Sequence, residues 1–130
     1  MRSAPLTRLA THEVLNQPEV RGDIDLWTSD PVLRETATLA GAQPQVLADY
    51  GRTMGASEMR EAGREANANP PRLELFDRGG RRLDEVRFHP AYHRLMEASQ
   101  SAGYAAIAWE GQPGGHATHA AMVYLASQVE

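Results

Sequence analysis

The sequence predicts a mainly α-helical domain that carries one short β-hairpin and begins with an irregular arm. Apolar residues recur at helical spacing over most of the chain after residue 28. Strict alternation of apolar and charged residues is confined to residues 73–88, where it indicates two strands. Turn residues interrupt every helical period before residue 28. We therefore expect an arm at residues 1–28 and a helical domain at residues 29–130.

The first helix is expected from residue 31 to about residue 40. Ser29 and Asp30 are good N-cap residues, and Pro31 suits the first helical turn because its missing N–H is not needed there. Gly41 follows the last apolar position and ends the helix.

Proline also marks the next two helices. Pro44 can open a second helix that runs to about Met54, and a third is expected over roughly residues 57–66. The third helix ends at Asn69-Pro70-Pro71, since a residue before proline is pushed out of the α region.

The hairpin follows directly. Leu73 and Leu75 alternate with charged residues, residues 77–80 have turn composition, and Val86 and Phe88 resume the alternation. A two-stranded hairpin is marginally stable alone. We therefore expect it to pack against the helices.

Two further helices complete the domain. One opens at His89-Pro90 and ends near residue 102, and the other spans residues 117–129. Nearly every residue of this last helix is apolar, and such a helix is normally buried on every side. We expect it to belong to a core larger than this chain, which would then stop at Glu130 in the middle of a helix.

Composition excludes several classes of function. The 130 residues include no cysteine, which excludes a disulfide framework, a thiolate zinc site and a cysteine nucleophile. No apolar run approaches the roughly 20 residues of a membrane span, so we expect a soluble, cytoplasmic protein without membrane contact. The net charge is −4, which argues against a dedicated nucleic-acid domain.

His89 and His93 are the first candidate contact residues. They are four residues apart on a predicted helix, and two histidines on one helix face can hold a metal ion. Pro90 stands where a zincin places its glutamate base. Alternatively, His89 caps the helix and His93 packs near the hairpin. A small free-standing metal-binding enzyme remains an alternative function.

Arg81 and Arg82 are the second pair of candidates. They belong to residues 72–94, which hold six arginines against four acids. This stretch could contact phosphate or another subunit, or it could be a solvated, ion-paired hairpin. An arginine-rich nucleic-acid-binding module is therefore a further alternative. No phosphate loop or nucleophile motif is present, so we assign no catalytic, cofactor-binding or metal residue.

Four sequence blocks point to a known family. They are THEVLNQP at 11–18, ANANPP at 66–71, GRRLDEVRFHPAYH at 80–93 and YLASQVE at 124–130. Together they resemble the N-terminal region of the AidB-like branch of the acyl-CoA dehydrogenase flavoproteins, from about residue 11 to residue 130. The resemblance implies the helical N-terminal domain of the acyl-CoA dehydrogenase type.

The resemblance also implies a larger parent protein. Such a parent binds FAD, assembles as a homotetramer, has weak isovaleryl-CoA dehydrogenase activity and binds double-stranded DNA in the response to alkylation damage. Its catalytic base and most flavin contacts lie in the middle and C-terminal domains. We therefore expect no cofactor on this segment, whose implied role is to pack against those domains and contribute to subunit contacts.

Overall fold

The computed structural model describes residues 22–129, which form five helices and one antiparallel hairpin. In chain order these are α1 (Pro31–Leu39), α2 (Pro44–Gly55), α3 (Ser57–Ala68), β1 (Arg72–Phe76), β2 (Arg82–Arg87), α4 (Pro90–Ser101) and α5 (Gly115–Ala126). The predicted mainly α domain with a hairpin is confirmed. Residues 1–21 of the expected arm lie outside the described residues.

The predicted starts of α1 to α4 are correct, and in three of these helices a side chain accepts hydrogen bonds from the first N–H groups. Helix α5 begins at Gly115, two residues before the expected start. Asp30 accepts a hydrogen bond from the Leu33 N–H at 2.9 Å, and the Nδ1 atom of His89 accepts one from Ala91 at 3.2 Å. Helix α3 has no side-chain cap from its own flanking residue. Instead, the carboxylate of Asp23 accepts hydrogen bonds from the Ser57 N–H at 2.8 Å and from the Ser57 hydroxyl at 2.7 Å.

The core is built around α2. Its residues Leu47, Tyr50 and Met54 are almost completely buried and belong to one cluster with Met122 and Leu125 of α5. Helix α2 contacts each of the other four described helices. Burial raises the pKa of Tyr50, whose hydroxyl lies 3.1 Å from the Ser99 hydroxyl on α4.

Residues 22–28 are irregular and lie along α2 at two glycines one turn apart. The Ile24 N–H donates to the Gly55 carbonyl at 2.9 Å, and the Leu26 N–H donates to the Gly51 carbonyl at 3.3 Å. A Cβ atom on Gly55 would overlap the Ile24 carbonyl oxygen, and one on Gly51 would lie 2.8 Å from Trp27. Only glycine permits this approach, which buries Trp27.

The hairpin differs from the expectation in one respect. Leu73 pairs with Val86 and Glu74 with Glu85, as the alternation predicts. The expectation that it packs against the helices is wrong, because neither strand contacts a helix. The alternation identifies the two faces of a strand pair but not what covers them.

Within residues 22–129, helix α5 is buried along one face only. Its buried residues are Gly115, Thr118, Ala121, Met122 and Leu125. Val123 and Tyr124 are 43% and 46% exposed. The helix gives way to a turn after Ala126, three residues earlier than expected. Ala120, Val123 and Tyr124 make the exposed side of the helix apolar, while its buried side meets α1 and α2.

Replacing Gly55 by alanine tests the contact between residues 22–28 and α2. We expect Gly55→Ala to lower the free energy of unfolding, because overpacking costs about 1–3 kcal/mol. The better helix propensity of alanine returns at most about 1 kcal/mol. Gly22→Ala is the control, since no atom lies within 4 Å of a Cβ placed there. A urea titration in which Gly55→Ala matched or exceeded the parent would contradict the packing.

Asp23→Ala tests the distant cap of α3. The Ser57 hydrogen bonds hold the pKa of Asp23 below its ordinary 3.8. The stabilisation is therefore fully present above pH 3.8 and is lost as the pH falls through the lowered folded-state value. We expect Asp23→Ala to melt at a lower temperature than the parent at neutral pH, with the difference vanishing in acid. Glu110→Ala, which removes an equal charge from an exposed loop, should leave the neutral melting temperature unchanged.

Candidate functional site

Arg81 and Arg82 lie at the tip of the hairpin, and each forms an ion pair with a carboxylate of the hairpin. The carboxylate of Asp77 accepts the N–H groups of Arg81 at 2.9 Å and Gly79 at 2.7 Å, and these bonds hold its pKa below the ordinary value. The same carboxylate binds the Arg81 Nε at 2.9 Å, while the Arg82 Nε meets Asp84 at 2.7 Å. The geometry is that of a solvated, ion-paired hairpin.

His89 is the N-cap of α4 and His93 lies on its first turn, and the two are not brought together as metal ligands. The Nδ1 atom of His89 is used in capping the helix. His93 is exposed, and its ring packs edge-on against Phe88 and Tyr92 at centroid distances of 6.1 and 5.6 Å. Between residues 22 and 129, no three His, Cys, Asp or Glu side chains are grouped to hold a metal.

An aromatic stack joins the hairpin to α4. The rings of Phe88 and Tyr92 lie 4.3 Å apart and nearly parallel, at an angle of 20°. Arg94, two residues further along α4, forms an ion pair with Glu65 of α3 at 2.9 Å. The Phe88–Tyr92 stack therefore ties the base of the hairpin to α4, which the ion pair in turn joins to α3.

The strands present an apolar face that sequence reasoning did not identify as a site. Leu73, Leu75 and Val86 are 60%, 45% and 54% exposed, and we call them the hairpin apolar face. On the opposite face Arg87 lies 2.9 Å from Glu74 and 3.5 Å from Glu85. The alternation of apolar and charged residues indicates this face in the sequence. We did not identify it as a site because we expected the hairpin to pack against the helices.

The described residues do not fit a flavin. A groove of about 620 Å³ between α1 and the start of α2 is open to solvent. No buried side-chain nitrogen or oxygen in residues 22–129 lacks a hydrogen-bond partner, so none awaits a cofactor. Within the same residues, every helix is too short or too polar to cross a membrane.

Comparison with known proteins places these features in a family. Residues 16–130 match the family described as the adaptive response protein AidB N-terminal domain. AidB of Escherichia coli (strain K12), whose name assigns it to the acyl-CoA dehydrogenases, is 44% identical over 124 residues. That match covers 92% of this chain but only 23% of the relative.

Solved structures agree on the fold. ACDH-11 of Caenorhabditis elegans, crystallised with C11-CoA, superposes with a TM-score of 0.70 over 99% of this chain and 23% of its own, at 21% identity. Bd2924 in its apo form gives a TM-score of 0.68 over 88% of this chain and 24% of its own, also at 21% identity. The family match and the close relative together show that this chain belongs to the AidB N-terminal domain family.

Proposed function

We propose that this chain is the non-catalytic N-terminal domain of an AidB-like, FAD-dependent acyl-CoA dehydrogenase. Its role is to pack against the other domains and to support subunit assembly. The observation that carries the proposal is the 44% identity to AidB across 92% of the chain, which spans only 23% of that relative.

Exposed apolar side chains support the packing role. Val32 and Leu39 of α1 are 72% and 87% exposed, and a spacing of seven residues puts them on one side of the helix. Val123 and Tyr124 of α5 and the hairpin apolar face add further exposed area. Large apolar patches on a protein surface usually mark interaction sites.

The proposal extends to the whole protein. We expect a cytoplasmic homotetramer that binds FAD, oxidises short branched acyl-CoA weakly and binds double-stranded DNA through residues after this segment. The net charge of −4 and the ion pairs of Arg81 and Arg82 favour placing the DNA contacts elsewhere.

Flavin content tests the proposal. We expect purified residues 1–130 to be colourless and the full-length protein to be yellow, because the described residues offer no flavin site. Visible absorption spectra, with circular dichroism to confirm that the short chain is helical, provide the measurement. A folded short chain that held flavin stoichiometrically would refute the non-catalytic assignment.

A deletion tests the supporting role. Removing residues 1–130 from the full-length protein should abolish recovery of soluble, flavin-containing enzyme, because apolar surfaces on the remaining domains would be uncovered. Removing residues 1–15, which precede the family match, is the control and should preserve both solubility and flavin. Full flavin retention after the longer deletion would contradict a supporting role.

A further inference from the structure

The hairpin apolar face is exposed and has no cover within the described chain. Leu73 and Val86 face each other across the strands, and Leu75 lies on the same side two residues along. Within residues 22–129 the strands contact no helix, so no described helix covers this face. Burying a large aliphatic side chain is worth about 1.5–3 kcal/mol, which favours an apolar partner here.

The position of residue 129 indicates which polypeptide segment is close to the hairpin apolar face. The carbonyl of Val129 packs against Gly63 of α3, where a Cβ atom would overlap it. Helix α3 ends five residues later at Ala68, a rise of about 7.5 Å, and residues 69–71 lead into β1. Residue 129 also lines one groove together with Asn67, which is five residues before the start of β1.

A groove connects residue 129 with the base of the hairpin. It has a volume of about 360 Å³, runs between α3, α4 and the end of α5, and is lined by both Val129 and Tyr92. Tyr92 stacks on Phe88, the residue that follows β2. An apolar path thus runs from residue 129, over Tyr92, to the base of the hairpin.

We propose that the hairpin apolar face is the docking site for an apolar segment of the polypeptide that follows residue 130 in the full-length protein. The inference rests on the proposed function, which makes this chain one part of a protein about four times longer. The face bearing Glu74 and Arg87 remains in solvent. Pairing of two hairpins through β2 is disfavoured, because Arg82, Asp84, Glu85 and Arg87 line that edge strand.

Cysteine reactivity in the full-length protein tests the docking. This segment has no cysteine, so Leu75→Cys and Glu85→Cys each introduce one thiol into it, and the unsubstituted protein gives the background rate. Leu75 and the Glu85 side chain are 45% and 54% exposed here, so an uncovered hairpin would make the two thiols react at similar rates. Docking should slow labelling at position 75 at least roughly tenfold relative to position 85, because labelling would require local opening.

Cross-linking then identifies the occupant. A benzophenone attached under denaturing conditions at position 75, followed by refolding and illumination, should join this site to a peptide after residue 130. A cross-link to residues 1–130 of another copy, or equal labelling rates at the two positions, would overturn the proposal. Flavin content separates the two proposals, since a yellow protein with equal rates defeats the docking site alone. A colourless protein with position 75 protected defeats the flavoprotein assignment alone.

Discussion

The fold depends on the close approach of chain segments to helix α2. Of the five described helices, only α2 contacts all the others, and its remaining side carries residues 22–28. Gly51 and Gly55 let that segment lie backbone to backbone against the helix, at a distance no side chain allows. Asp23 then caps α3, so this one contact fixes both the entry of the chain and the corner between α2 and α3.

A buried hydroxyl organises the other end of the domain. Thr118 of α5 is completely buried, accepts the Gln43 N–H at 2.9 Å and donates to the Gly114 carbonyl at 2.8 Å. Gly114, with φ of 74°, packs so closely on the Gly41 carbonyl that a Cβ atom there would overlap it. The turn between α1 and α2 and the start of α5 are therefore one unit, which holds α5 against the α2 core.

Local chemistry made the helix starts and the strands predictable. Pro31, Pro44 and Pro90 each stand at the first position of a helix, and the alternation around Leu73 and Val86 indicated the strand pair. The free-standing hairpin could not be predicted, since a two-residue period says nothing about what covers either face. Nor could the role of Gly55, because its neighbour Ile24 is 31 positions away and the sequence alone presents it as a weak helix residue.

The mass of the natural gene product decides whether this chain is a supporting domain within a larger flavoprotein. The chain spans 23% of its AidB relative. An antibody raised against residues 22–129 should therefore detect, in the source cells, a protein roughly four times the 14.3 kDa mass of this chain, with bound flavin after purification. A stable product of 14.3 kDa as the sole species would show that this chain is not part of a larger flavoprotein.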